Sequence, residues 1–270
     1  MNAYAATDPF APLEPAGFRS RSEKTEEPDD WLLLPVPDDT PELPRAFGKL
    51  GSWSKSFPYH RASGELDGYM LRFDTAAGKE TRPLRYGQRW GRIGWHIKGW
   101  AGDDARPLYR LPELLAAPDV PVLLCEGEKT ADAAADLLDP AWAVIASMNG
   151  AQSPHRSDWS PVAGRNLVIW PDNDETGQAY ALAAAALALK AGAVSVRIVD
   201  VPDTLPNGWD LADPIPDSVE LDLEELLSTA PKFDPDGEEQ GTFRVQWRRA
   251  GELTAMVNVG VRLRRQLAPR

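Results

Sequence analysis

Val122-Leu123-Leu124-Cys125-Glu126-Gly127 and Leu167-Val168-Ile169-Trp170-Pro171-Asp172-Asn173-Asp174-Glu175 decide how this chain folds. Each is a short apolar run that ends in carboxylates, and each is followed by an Ala- and Leu-rich stretch with helical character. A continuous apolar run of four or five residues reads as a strand buried on both faces, the signature of a parallel sheet covered by helices. In such a sheet the carboxyl ends of the strands share one edge, where ligands bind. Glu126, Asp172 and Asp174 are therefore expected to meet at that edge. An oxygen-rich, nitrogen-poor cluster suits Mg²⁺, usually together with substrate phosphates.

Working outward from these runs, residues 118–230 follow a β-α alternation. Strands are expected at 121–125, 142–146, 166–170 and 194–199, with helices at 129–138, 177–191 and 221–228. That alternation implies a parallel sheet with helices on its faces. Residues 107–117 read as a short linking helix. Residues 46–117 differ: Phe57–His60, Gly68–Asp74, Glu80–Tyr86 and Trp95–Trp100 read as short strands separated by turn formers at Ala62-Ser63-Gly64, Ala77-Gly78 and Gly87. The fold class expected is α/β, a parallel sheet flanked by helices and preceded by a small β-rich basic unit. Residues 1–45 hold eight prolines and ten acids against four Lys/Arg, which predicts a disordered acidic arm with one apolar knot at Trp31–Leu34. Residues 231–270 read as an irregular basic tail that contains Arg262-Leu-Arg-Arg-Gln.

The net charge of −12 argues against nucleic acid until its distribution is considered. Residues 118–230 hold five Lys/Arg against nineteen acids, whereas 51–110 hold eleven against six and 241–270 hold seven against one. An acidic block needs counter-ions, and a basic block beside it can hold a phosphate backbone. Arg82, Arg85, Arg89, Arg92 and Lys98 run without an acid between Thr81 and Gly102, with Trp90, Trp95 and Trp100 among them. Cations for phosphates and rings for bases are what a single-strand groove requires. A half-buried sheet with a solvated arginine face would carry the same pattern. The lone Cys125 rules out an internal disulfide framework and cysteine zinc sites, and reads as a small core residue. The sequence has no membrane-length apolar run and no signal-peptide pattern, so a cytoplasmic protein without membrane contact is expected.

Two aspartates one residue apart can both reach one metal when they sit in a turn after a strand. Glu126 is placed to be an acid/base group or a further ligand. Gly127 and Gly177 open turns in which a backbone can approach phosphate, and Asn149-Gly150 is a third such turn. The competing reading makes these acids caps of helix N-termini. It accounts for Glu175 and for one of the two aspartates, but not for acids at both strand ends.

Glu126-Gly127-Glu128-Lys129-Thr130-Ala131-Asp132 and Trp170-Pro171-Asp172-Asn173-Asp174-Glu175-Thr176-Gly177 resemble the Toprim domain of bacterial-type primases, topoisomerases and some nucleases. The variant resembles the primases and primase-helicases of phages and mobile elements. Arg156–Arg165 and Gly208-Trp209-Asp210-Leu211-Ala212-Asp213 also resemble that subgroup. The resemblance implies Glu126 as general acid/base, Asp172 and Asp174 as the Mg²⁺ (or Mn²⁺) pair, and Asp210 and Asp213 as supporting metal ligands. Lys129 is placed to meet a phosphate and Arg156, beside His155, to touch nucleic acid. It implies single-stranded DNA and nucleoside triphosphates as ligands, and a separate replicative helicase as partner. The sequence departs from the family at Thr130, where many members have an acid. It contains neither a Cys/His cluster nor a Gly-x-x-x-x-Gly-Lys-Ser/Thr motif. The expected activity is Mg²⁺-dependent, primase-like nucleotidyl transfer on a single-stranded template during replication. The alternatives are a Toprim nuclease using the same ions and a non-catalytic DNA-binding replication accessory.

Overall fold

A computed structural model describes residues 31–235 apart from 76–77, 101–104 and 139. The first thirty residues of the expected arm, Ala77 of one expected turn and the basic tail from 236 onward lie outside the described residues.

Five strands form an antiparallel sheet: β1 (Trp31–Leu32), β2 (Lys55–His60), β3 (Leu66–Thr75), β4 (Gly78–Arg89) and β5 (Arg92–Ile97). The order is β1-β4-β3-β2, with β5 also pairing β4. Alternation divides its side chains between two faces. Leu71, Phe73 and Leu84 gather on one face with Leu43, Phe47, Leu50 and Trp53. Phe57, Tyr59 and Met70 point the other way, into the core of the second unit.

The segment 31–45 is therefore not part of a disordered arm. Val36 is buried, and its amide donates to the Leu66 carbonyl at 2.8 Å. The Trp95 and Trp53 indole N–H groups donate to the Pro41 and Pro44 carbonyls, each at 2.8 Å. Proline-rich backbone cannot join a ladder as donor, but its carbonyls accept, and two tryptophans fasten it across the sheet. Gly87 is likewise not a turn. It lies within β4, where β1 passes so close that a Cβ would sit 2.7 Å from the Leu32 Cα. The reversal comes later, at Trp90-Gly91, with φ of 51° and 70° at its two residues. Positive φ at both central positions matches the twist of a tight hairpin.

After the linking helix α1 (Leu111–Ala116) the second unit contains β6 (Val122–Cys125), α2 (Glu128–Leu138), β7 (Ala143–Ala146), β8 (Asn166–Trp170), α3 (Glu175–Lys190), β9 (Ser195–Ile198) and α4 (Leu223–Thr229). Its sheet is parallel throughout, in the order β7-β6-β8-β9. Leu123, Cys125, Val144, Ala146, Val168 and Trp170 pack with Ala131, Ala134 and Ala135 of α2 on one face. Val122, Leu124, Ile145, Leu167, Ile169 and Val196 pack with Tyr180, Ala181, Ala184, Ala185 and Ala188 of α3 on the other. Small residues on both helices let them lie close to the strands. Arg165 donates to the carbonyls of Leu114, Ala117 and Val120 at 2.7–3.0 Å, closing the end of α1 against the sheet.

The two units share one core. Phe57, Tyr59, Met70 and Tyr109 belong to the same buried cluster as α2 and the parallel strands. The Tyr59 hydroxyl donates to the Glu128 carboxylate at 2.7 Å in full burial. No helix among the described residues is long and apolar enough to cross a membrane.

Candidate active site

The order β7-β6-β8-β9 means that the chain leaves β6 toward one side and returns to build β8 on the other. The crevice beyond the carboxyl ends of β6 and β8 is thus the topological switch point, the place where open parallel sheets bind ligands. Cys125 and Trp170 are in register across it. Glu126 follows the first directly, and Asp172 lies two residues beyond the second.

Local structure holds each carboxylate there. The Asn149-Gly150 turn, with φ of 65° and 48°, wraps Glu126 so closely that a Cβ at Gly150 would sit 3.2 Å from the Glu126 Cγ. At Gly177 a Cβ would lie 2.8 Å from the Asp172 amide nitrogen. Gly177 is therefore a packing glycine that lets α3 start against the Asp172 backbone, and not a phosphate-approach glycine. Gly127 has open space where a Cβ would be. Asp174 is the N-cap of α3, its Oδ1 accepting from the Gly177 amide at 2.7 Å. Asn173 fastens the loop to the 205–209 segment through the Trp209, Leu205 and Pro206 carbonyls at 2.9–3.1 Å. That segment carries Asp210 to the same rim.

Mutual proximity shows in the electrostatics. Burial pushes the Asp172 carboxyl up to about 7, and the charges of Glu126, Asp210 and Asp174 push it the same way. Burial raises Glu126 too, with Asp174 and Asp210 adding to it and the Ala151 amide opposing. Glu126 Oε2 and Asp172 Oδ1 are both buried without a hydrogen-bond partner among the described residues. Two orphan carboxylate oxygens in an all-oxygen donor set fit a hard divalent cation. Among the described residues no three His, Cys, Asp or Glu side chains are grouped as a metal-holding set, so the donors here are the two orphan carboxylates. An open set is compatible with Mg²⁺, which keeps waters and uses one or two carboxylates plus substrate phosphates.

Lys129 is ion-paired in this structure. Its Nζ lies 3.1 Å from Asp213 Oδ1 and 3.8 Å from Asp210 Oδ2. Asp213 is accordingly held below the usual carboxylate range despite partial burial. Asp210, which Lys129 also meets, still adds to the charge that raises Asp172.

The expected basic groove divides by strand register. Arg85, Arg89, Arg92, His96 and Lys98 share one face of β4–β5, since Arg85 pairs His96, Arg89 pairs Arg92 and the Lys98 amide meets the Pro83 carbonyl. Arg82 falls on the opposite face and is ion-paired with Glu80. Arg85 is a correction to the expected nucleic-acid set. It is 3% exposed, donates to Asp67 Oδ1 at 3.2 Å and stacks over Trp100 at 4.4 Å. Its guanidinium is an internal strut. Trp90 is 65% exposed, with Arg89 stacked 4.1 Å from its ring. Arg92 and Arg156 are exposed, Lys98 half-buried.

No family model and no curated protein matches the chain. Among solved structures, the zinc-binding and RNA polymerase domains of Aquifex aeolicus primase match at 17% identity and a TM-score of 0.45, over 66% of this chain and 40% of that one. The primase fragment of the bacteriophage T7 primase-helicase matches at 16% identity and a TM-score of 0.37, over 58% and 55%. The E. coli primase catalytic core matches at 16% identity and a TM-score of 0.36, over 58% and 46%. The chain matches parts of these primase domains. It spans about half of their length or less.

Sequence reasoning missed Lys79. It sits at the tip of the β3–β4 hairpin, paired with Asp74, and its charge reaches Glu126, Asp172 and Asp213. The sequence marks it only as a basic residue beside a turn glycine.

A pH test follows from the raised Asp172 carboxyl. The unfolded chain releases that proton near about 4, whereas the folded chain holds it to about 7. Between those values the folded state binds more protons, so metal-free stability falls as pH rises. Asp172→Asn abolishes this term. In EDTA, the melting temperature of the Asn variant should gain on the wild type from pH 5 to pH 8. A difference that stays constant with pH would remove Asp172 from the electrostatic cluster.

Proposed function

We propose that the chain is a Mg²⁺-dependent, primase-like nucleotidyltransferase of the Toprim type, acting on single-stranded DNA. One observation carries the reading: Glu126 and Asp172 follow the carboxyl ends of the adjacent strands β6 and β8 at the switch point, each with a buried carboxylate oxygen left without a partner among the described residues. Asp172 and the Asp174 oxygen not used in capping would hold the ion, with Asp210 supporting. When bound, Mg²⁺ neutralises charge that develops on phosphate oxygens.

The chain's own groups supply the rest. Glu126 accepts the proton of the attacking 3′-hydroxyl, and burial together with neighbouring acids raises its basicity for that task. The new bond joins the hydroxyl oxygen to the α-phosphorus, and the α–β bridging oxygen leaves with its electron pair on pyrophosphate. Lys79 reaches over the rim from the hairpin tip as the local counter-charge. The open space at Gly127 admits the substrate beside Glu126.

The face bearing Arg89, Arg92 and Lys98, with Trp90 at its tip, would hold the template. An exposed tryptophan at φ 51° is an uncommon conformation for a bulky residue, and it presents an indole ring at the sheet's end. Base stacking on such a ring contributes about 1–3 kcal/mol. Trp90→Ala should weaken oligo(dT) binding accordingly, and Arg92→Ala should lower the salt slope by about one. Fluorescence anisotropy at several salt concentrations reads both. Affinities equal to wild type would make this a solvated sheet face.

The activity test combines single-stranded template, Mg²⁺ and labelled nucleoside triphosphates. Extended primers support the proposal. Fragmented template would instead indicate a nuclease, and binding without either product an accessory role.

A further inference from the structure

Beyond β7 the chain winds through two 3₁₀ turns, Gly150–Gln152 and Pro154–Arg156. The segment ahead of α1 lies along this loop. Tyr109 bridges Ala146, the last residue of β7, and donates its amide to the Ala146 carbonyl at 2.8 Å. Arg106 bridges Ser157; its amide donates to the Arg156 carbonyl at 2.7 Å and its carbonyl accepts from Asp158 at 2.7 Å. Arg106 Nη1 donates to the Ser153 hydroxyl at 3.0 Å. These contacts bring Arg106, His155 and Arg156 together at the carboxyl rim of the sheet. The same loop, five residues earlier, wraps Glu126.

The two guanidinium groups concentrate positive charge here. Among the described residues, neither Arg106 nor Arg156 has a carboxylate within ion-pair distance. Burial, and after it the Arg156 charge, weakens proton binding at both Arg106 and His155. The Ser157 hydroxyl, on the residue bridged to Arg106, is buried without a partner among the described residues. Like charges held together by backbone bonds cost free energy that a bound anion recovers. Guanidinium forks match the geometry of phosphate oxygens.

We propose that Arg106, His155 and Arg156 form a phosphate-binding subsite beside the carboxylate centre. It takes a substrate phosphate that is not the one undergoing attack. Its place in the reaction rests on the nucleotidyl-transfer reading above. Two sources offer this chemistry: the polyphosphate tail of a nucleotide, or a backbone phosphate of the single strand.

Binding to the full chain in EDTA separates this proposal from catalysis, because no turnover is measured. A fluorescent ATP analogue and fluorescein-labelled (dT)20 are titrated at low salt against wild type, Arg156→Gln and the Arg106→Gln/Arg156→Gln pair. Losing a charge-assisted contact should weaken binding about tenfold. A drop confined to the ATP analogue assigns the site to the polyphosphate, and a drop confined to (dT)20, with a shallower salt slope, assigns it to the backbone. Arg156 is exposed, so its single variant keeps the fold and remains decisive if the double variant melts early. Unchanged affinity of Arg156→Gln for both probes, or no binding of either by wild type, overturns the proposal. A chain that makes no primers but shows the drop leaves the subsite standing and removes only the reaction.

Discussion

Glu126→Gln and Asp172→Asn should each reduce primer synthesis by about 10²–10⁴-fold, the range of a lost general base, while leaving the fold intact. Both side chains sit at the rim of the crevice rather than in the packed layers, and the Ala151 amide that donates to Glu126 can donate equally to the glutamine oxygen. Glu126 has an orphan oxygen and so does Asp172, so amide replacements break no described protein hydrogen bond through those atoms. Asp172→Asn also relieves repulsion with Glu126, Asp174 and Asp210. A variant more thermostable above pH 7 and inactive in synthesis is the expected combination, since active sites hold groups that stability alone would discard. Asp174→Asn behaves differently, because its carboxylate also caps α3 and its loss costs helix stability as well. Full activity in both Glu126→Gln and Asp172→Asn would remove the catalytic assignment.

Arg85→Ala should be the most damaging single change to stability. The guanidinium is buried with Asp67, and Asp67 also receives the Trp100 indole N–H at 2.6 Å and Arg61 at 3.4 Å. Removing one partner of a buried ion pair typically costs about 3–5 kcal/mol. Arg61 and Trp100 remain to serve Asp67, which places the loss near the lower end. For a chain of this size about 3 kcal/mol lowers the melting temperature by roughly 6–12 °C. Arg85→Lys should recover only part of it, because an ammonium cannot both stack on Trp100 and present a planar fork. Thermal melts of the two variants check this. A melting temperature equal to wild type, with DNA binding lost, would instead place Arg85 on the nucleic-acid surface.

Arg85 also shows where sequence reading stops. Its place in an acid-free basic run was legible, but its partner Asp67 comes from the neighbouring strand, and burial is decided by that pairing. Arg82, three residues away, differs only by parity and lands on the opposite face. The parallel strands were legible almost to the residue, because strands buried on both sides need uninterrupted apolar runs. The start of α3 is less so: Asp174 serves as cap and candidate ligand together, and the helix begins two residues earlier than the Gly177 signal predicts. Residues 31–45 misread for a compositional reason. Proline and acid predict disorder, yet their carbonyls accept from Trp53 and Trp95, which lie further along the chain. Lys79 was invisible as a site residue because only the hairpin's position over the rim distinguishes it from a solvated turn lysine. The convergence expected of Glu126, Asp172 and Asp174 rests on β6 and β8 being neighbours, and the two strands do pair.

Manganese uptake measured by electron paramagnetic resonance, with a non-hydrolysable nucleoside triphosphate present, tests that convergence most directly. Wild type should take up Mn²⁺ and release protons as it does so at pH 6.5, where part of the Asp172 population is protonated; Asp172→Asn should lose most of the uptake. Equal uptake by the two proteins, or none by wild type, would contradict the account.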